Sequence, residues 1–380
     1  MSGKEKYQEF LVGPIERFDQ RNDMFRRSRY DPEWIERAGS FYGPAQVQDK
    51  PGYAQEYYAL RNAAWYVEDF FAMGTLGSNH QGLYAWESLD PEGIGMPPGL
   101  RIETSNSEEV SKKVKRAARF FGASLVGTCE LDRRWLYSHV SNDITGEHLP
   151  LEIPEQYRYA IALAIEMDYS FIQTAPTGGA SAATGLGYSK MAFVAGLLAQ
   201  FIRGLGYEAI PCGNDTALSI PVAIEAGLGE LGRNGLLITE KFGPRVRLCK
   251  VFTDLPLVPD EPHFFGVEEF CRKCMKCAEE CPSHAISFGE KTTEVPTISN
   301  NPGVLKWPVN PERCFRFWVV NRTDCANCIR VCPFNQKEGW HHDLVRAVIK
   351  DAPWLSPLFL WLNGVLGHGR QLDPAMIWEG

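Results

Sequence analysis

Eight of the 11 cysteines in this 380-residue chain lie between Cys271 and Cys332. The first run is Cys271-x2-Cys274-x2-Cys277-x3-Cys281-Pro282, and the second is Cys314-x10-Cys325-x2-Cys328-x3-Cys332-Pro333. Zinc ligands usually come as two separated pairs, which this is not. Three thiolates at two-residue steps, with a fourth just before a proline, are the run that holds a [4Fe–4S] cluster and sends its fourth thiolate to a neighbouring one. The spacing predicts Cys271, Cys274, Cys277 and Cys332 on one cluster, and Cys281, Cys314, Cys325 and Cys328 on the other. The longer gap in the second run requires Cys314 to return on a loop. Ile286, Ile329 and Val331 are expected as apolar shielding. Cys129, Cys212 and Cys249 sit in apolar, strand-like contexts and read as buried packing thiols. Two clusters in series carry electrons, so an acceptor is expected upstream.

Upstream, three polar residue types could do proton chemistry. Tyr188 follows a Gly-rich stretch and is expected near a helix start. A phenol with an ordinary pKa of about 10 can give up a proton at neutral pH, and a neighbouring cation eases that donation. Arg247 and Arg245 in GPRVRL alternate onto one strand face and could supply the cation, with Arg233 as a third candidate. Asn214, in PCGNDT, could orient a polar group or simply carry a turn. Glycines 185, 187, 213, 227, 229, 232 and 235 would let the backbone approach something large and flat, or would only make tight turns. Gly227-x-Gly229-x-x-Gly232 matches a dinucleotide fingerprint, but no clear strand precedes it and no helix follows, so a nicotinamide site is not expected.

The elements that must position these residues show in the apolar patterning. Segment 63–77 reads as a helix ended by Gly77. A helix runs from Ser107 to Gly122, then strands at 124–131 and 159–168. Segment 189–206 is an amphipathic helix stopped by Gly204 and Gly206, and 207–212 is the strand after it. This order suggests an α/β layer over 105–255. Segment 93–102 reads as a linker, and the chain after residue 340 as helices packed on the core.

Composition is that of a globular protein, with 44% hydrophobic and 23% charged residues. The net charge of −8 argues against a chain built mainly to bind nucleic acid. No apolar run reaches the roughly 20 residues needed to span a bilayer, and the first residues lack an apolar signal core. Arg26 and Arg27 have no hydrophobic segment after them and read as a surface pair. A cytoplasmic location is expected, or an exported, membrane-associated one if an N-terminal signal was trimmed.

The stretch from Gly185 to Phe288 closely resembles the corrinoid-dependent reductive dehalogenases. The segments that carry the resemblance are FIRGLGYEAIPCGNDT, AGLGELGRNGLLITEKFGPRVRL, KVFTDLPL and FCRKCMKCAEECPSHAIS, with NAAWYVEDFF, GLYAWE and HHDLVRAVI in support. The resemblance implies a mixed α/β and α+β fold. An N-terminal segment (1–104) would cover the active site. A nitroreductase-like core (105–260) would bind a base-off corrinoid (cobalamin). A ferredoxin-like domain with two [4Fe–4S] clusters (261–340) and a C-terminal helical tail (341–380) would follow. By position, Tyr188 matches the proton donor, Arg247 the cation beside it (Arg245 less well) and Asn214 a polar pocket residue. Thr184, Gly213 and Trp318 match cofactor or pocket positions, with Trp65 a looser match.

The implied reaction replaces carbon–halogen by carbon–hydrogen in a small organohalide. Electrons would come from a separate ferredoxin or flavodoxin, since the chain shows no fused reductase, and a homodimer is compatible with the family. Two alternatives remain. One is epoxyqueuosine reductase, a tRNA-modifying relative for which Arg313, Arg316, Arg322 and Arg330 would form a basic group. The other is a non-catalytic electron carrier.

Overall fold

The strand Tyr159–Glu166 is apolar at nearly every position because both of its faces are covered. In the computed structural model, which describes residues 2–72, 82–88, 97, 99–142, 146–337 and 356–379, it is β4 of eight strands. The others are β1 (Leu125–Glu130), β2 (His139–Ser141), β3 (His148–Pro150), β5 (Ala209–Cys212), β6 (Glu230–Leu231), β7 (Leu237–Ile238) and β8 (Val246–Thr253). The central sheet has the order β1-β4-β8-β5. Every pairing in it is antiparallel. The expected α/β layer is therefore an α+β one: helix and strand alternate in sequence, but among the described residues no parallel crossover is made.

Alternation along β4 divides the core. Ile161, Leu163 and Ile165 face Met191, Val194, Leu198 and Ile202 of one long helix. Ala160, Ala162 and Ala164 face Val222 and Ile224, from the short helix Ser219–Glu225, in the other core. That segment is the one that precedes the glycine-rich match, and its helical form agrees with the rejection of a dinucleotide site.

The long helix runs from Gly178 to Gly204, so it starts well before the predicted Ser189. The missed turns read GGASAATGLGY. Each interior glycine costs a helix about 1 kcal/mol relative to alanine, so local propensity points the wrong way there. Tertiary packing overrides it. A Cβ on Gly185 would lie 2.3 Å from the Trp65 ring, one on Gly187 2.8 Å from Arg247 Cγ, and one on Gly196 2.8 Å from the Leu83 carbonyl. Small residues are what let neighbours approach this helix. It is also the one described helix long and apolar enough to cross a membrane, but most of its apolar window is buried inside the protein, which accounts for the composition.

The expected helix over 63–77 is instead Gln55–Val67, continued by a π turn over Glu68–Ala72; residues 73–77 lie outside the described set. Half of the expected linker at 93–102 (residues 93–96 and 98) and residues 341–355 of the tail also lie outside it. Within the tail, Ser356–Val365 is helical.

The N-terminal residues are tied to both later parts of the chain. Arg27 donates to Glu312 at 2.7 Å and to Asp31 at 2.9 Å. Tyr53 donates to the Pro176 carbonyl at 2.5 Å and Asn321 at 2.7 Å. Asp19 pairs with His148 at 3.0 Å, which pins the segment to the β2–β3 hairpin.

Candidate active site and cluster ligands

Tyr188 is not near a helix start. It lies about three turns inside the long helix, with its direction set by rigid backbone. Asn214 Nδ2 donates to the Tyr188 hydroxyl at 2.7 Å. The Arg247 guanidinium lies over the Tyr188 ring, 5.1 Å from its centroid. Arg247 Nη2 also donates to Thr184 Oγ1 at 3.2 Å, one helical turn before Tyr188. Trp65 stacks on the other side of the tyrosine, with centroids 4.9 Å apart and planes 23° apart. Four of the predicted residues, Tyr188, Arg247, Asn214 and Thr184, therefore meet at one point.

The register of β8 explains the arginine. Arg247, Cys249 and Val251 alternate onto the face that carries the long helix. Lys250 points the opposite way and is buried. Its ammonium binds the Gly213 carbonyl at 2.5 Å, the Asp215 carbonyl at 2.9 Å and Ser219 Oγ at 3.1 Å. This holds the 213–215 loop in place and so aims Asn214. Burial holds the Lys250 ammonium below its ordinary pKa.

Burial raises the pKa of the Tyr188 phenol, with Glu68 adding to the rise, whereas Arg247 and the Asn214 hydrogen bond lower it. A half-buried phenol under these opposing influences keeps its proton at neutral pH. Once that proton is given up, a cation and an amide donor stand ready for the phenolate.

Arg245, Arg233, Gly213 and Trp318 are placed elsewhere. Arg245 is fully buried, binding Glu166 at 2.5 Å and Asn335 at 3.0 Å. Gly213 packs under Tyr84, and a Cβ there would lie 2.7 Å from the Tyr84 hydroxyl and 2.8 Å from its ring. Trp318 packs with Phe25 and Phe315 and lies beside Cys314. The site glycines are thus filled by protein side chains, and Gly227 and Gly235 are left-handed turns, at φ 74° and 73°.

The glycine-rich match has a structural use. Glu230 accepts backbone bonds from Phe265 and Val267. Arg233 donates to the carbonyls of Cys271 at 3.1 Å, Ser287 at 2.9 Å and Gly289 at 3.0 Å. Asn234 reaches the Cys328 carbonyl at 3.3 Å. This segment clamps both cysteine loops to the core.

Cys271, Cys274, Cys277 and Cys332 line one small cavity, closed by Phe270 and Phe334. Cys281, Cys314 and Cys328 pack with Ile286, Val309 and Val331, while Ile329 packs beside Cys328. Cys325 neighbours Cys314, Cys281 and Cys328, and Cys277 neighbours both Cys271 and Cys328, where the two sets of thiols meet. Burial pushes the thiols of Cys271, Cys314, Cys325 and Cys328 up to about 12. Such dry sulfur groups suit a cationic iron core, which favours the thiolate. The proposed basic group does not gather on one surface: Arg330 is buried on the Gly369 carbonyl, and Arg316 pairs with Glu33.

A cavity of about 660 Å³ is lined by Trp65 and Asn214, the two residues that hold the Tyr188 ring and hydroxyl, while Tyr188 itself stands behind them. Phe25, Trp65, Glu68, Tyr84, Tyr137 and Asn214 are among its walls. Trp65 Nε1, Asp215 Oδ1 and Trp307 Nε1, all from wall residues, are buried and without hydrogen-bond partners. The sequence offers Trp65 only as a looser match and gives Glu68 no role. An acid inside an aromatic run, VEDFF, is the one signal the sequence held.

Residues 270–336 match the 4Fe-4S dicluster domain family. The chain is 43% identical over 340 residues to a tetrachloroethene reductive dehalogenase of Dehalobacter restrictus, covering 78% of this chain and 61% of the relative. It is 36% identical over 382 residues to the tetrachloroethene reductive dehalogenase of Sulfurospirillum multivorans, covering 93% of this chain and 76% of the relative. A solved reductive dehalogenase structure, described as suggesting a mechanism for B12-dependent dehalogenation, shares the fold. Its TM-score is 0.75 at 24% identity, over 96% of this chain and 48% of that one. The chain belongs to the reductive dehalogenase family. It spans about three fifths of the length of the first of these relatives.

Proposed function

We propose that this chain performs reductive dehalogenation, exchanging a carbon–halogen bond for carbon–hydrogen in a small organohalide. The observation that carries the reading is the Tyr188 hydroxyl, held at 2.7 Å by Asn214, with Arg247 over its ring and a cavity lined by its partners Trp65 and Asn214. The family supplies the reaction class, and the names of the two relatives above support a chlorinated ethene as substrate.

Two [4Fe–4S] clusters would be held by the eight cysteines in the crossed arrangement, Cys332 with the first three and Cys281 with Cys314, Cys325 and Cys328. The larger cavity is where a corrinoid would be held. Its unpartnered Trp65, Asp215 and Trp307 atoms offer donors and an acceptor to a ligand rimmed with amides. Bound there, a reduced corrinoid supplies the low-potential electron pair needed to open a carbon–halogen bond.

The chain's own residues do the rest. The aromatic wall excludes water and packs the apolar carbon skeleton. Tyr188 gives its proton to carbon, Arg247 stabilises the phenolate, and Asn214 keeps the oxygen aimed. Thr184 and the long helix fix Arg247. A separate ferredoxin- or flavodoxin-type protein would deliver the electrons.

The test is anaerobic reconstitution with corrinoid, iron and sulfide, then a halide-release screen over chlorinated ethenes and aromatic halides with an artificial reductant. Halide release matched by the hydrogenated product is expected. A fully loaded protein that releases no halide from any of them would overturn the reading.

A further inference from the structure

The cavity holds a carboxyl group that the proton-donor reading leaves unused. Glu68 begins the π turn after the Gln55–Val67 helix. Such turns are rare and cluster at functional sites, because they re-aim side chains within a helix. This one places Glu68 in the cavity wall with Trp65, Asn214 and Asp215. Its amide donates to Ser189 Oγ at 3.3 Å, which ties it to the residue after Tyr188. Trp65, one turn earlier, is the residue stacked on Tyr188. Glu68 Oε2 is buried and completes no well-formed hydrogen bond, although Tyr84 lies close.

We propose that Glu68 is the proton reservoir of Tyr188, returning a proton to the phenolate after each turnover. The inference rests on the dehalogenation reading and deepens it. Each turnover uses two electrons and one proton: the carbon–halogen bond breaks, halide leaves, and carbon takes the phenol proton. The electrons come from a low-potential one-electron donor protein through the clusters. Tyr188 is then a phenolate in a dry pocket and must be reprotonated before the next cycle. A protonated Glu68 gives its proton to the phenolate and recovers one from water entering the emptied cavity. Glu68 acts through Tyr188 and not on the substrate.

The surroundings favour a carboxyl that is protonated at rest. Burial, then the charges of Asp215 and Asp69, push Glu68 up to about 8. Tyr84 and Tyr188 are its phenolic neighbours. The cations Arg61 and Arg29 act on Asp69. A carboxylic acid of that strength is still a stronger acid than a buried phenol, so transfer to the phenolate runs downhill.

The test uses the reconstituted holoenzyme, with cluster and corrinoid content checked by absorption. Glu68→Gln is expected to keep the rate of the first turnover and to lower steady-state kcat at least about 10-fold. The wild-type fall in kcat as pH rises through about 8 should vanish in that variant. Glu68→Asp should restore part of kcat. Infrared difference spectra should show a protonated carboxyl in the wild type near pH 7 that is absent in Glu68→Gln. If Glu68→Gln fails to load its cofactors, the wild-type infrared titration and Glu68→Asp decide. A wild-type steady-state rate and pH profile in Glu68→Gln, or no protonated carboxyl assignable to Glu68, would overturn the proposal. A wild type that releases no halide overturns the dehalogenation reading instead, while the infrared titration still judges Glu68.

Discussion

Asn214 and Tyr188 are 26 positions apart and come from a loop and a helix interior, yet the amide nitrogen sits 2.7 Å from the phenol oxygen. The bond exists because Lys250, buried beneath the loop, holds the carbonyls on either side of Asn214. Removing the phenol hydroxyl should therefore cost chemistry and little structure. Tyr188→Phe is expected to lower halide release at least about 100-fold while both clusters and corrinoid stay bound. Full activity would remove Tyr188 from the mechanism. Arg247→Gln should raise the Tyr188 pKa, read by ultraviolet titration, because the lost cation is one of two influences lowering it.

Gly185 tests whether the stacking on Tyr188 matters. An added Cβ would lie 2.3 Å from the Trp65 ring, so Gly185→Ala must displace the indole or the helix. Helix propensity alone predicts a gain of up to about 1 kcal/mol for this change. We expect a net loss of stability instead, typically about 1–3 kcal/mol for overpacking. Altered tryptophan fluorescence should accompany it. An unchanged spectrum with raised stability would show that Trp65 is free to move.

The proposed crossing of the cluster ligands is tested by a pair of variants. Cys281→Ala should lose the cluster shared with Cys314, Cys325 and Cys328, and Cys332→Ala the other. In each case the iron content should fall by about four atoms per chain, the content of one cubane. Low-temperature electron paramagnetic resonance separates the two centres. Depletion of the same centre in both variants would refute the crossing.

Glu225 makes a prediction about pH and stability. It accepts from Trp135 Nε1 at 2.8 Å, and burial pushes its carboxyl up to about 7. Its folded pKa exceeds the unfolded one, so the native state binds the extra proton. That contribution is complete below about 4.5 and is lost as pH rises through about 7. Glu225→Gln keeps a neutral acceptor for the indole. It should flatten the decline in unfolding free energy between pH 5 and 8, by roughly 1–3 kcal/mol at the alkaline end, read by denaturant melts. An identical pH profile in the variant would show that Glu225 stays ionised.

The cysteine spacing and the apolar strands were legible because each is a local pattern. β1 (Leu125–Glu130), β4 (Tyr159–Glu166) and β5 (Ala209–Cys212) lie within a few residues of their predicted ranges. The start of the long helix was not legible. Its glycines make sense only against Trp65, Arg247 and Leu83, which lie far away in sequence. Arg233 and Arg245 read as catalytic candidates because nothing local shows that a cation is spent on carbonyls or on Glu166. Glu68 was invisible for a related reason. A buried acid announces itself only once the cavity around it is known.

The long Gly178–Gly204 helix has a bearing on how substrate range can change. It carries Thr184 and Tyr188, it is packed on both sides, and its glycines leave no slack. The proposed proton source, Tyr188, is therefore a fixed point. Phe25 and Tyr42, by contrast, reach the cavity from the short helices Met24–Tyr30 and Pro32–Tyr42. Adaptation to a bulkier or differently shaped molecule has its freedom on that side. Directed evolution should begin with those two short helices and spare the long one.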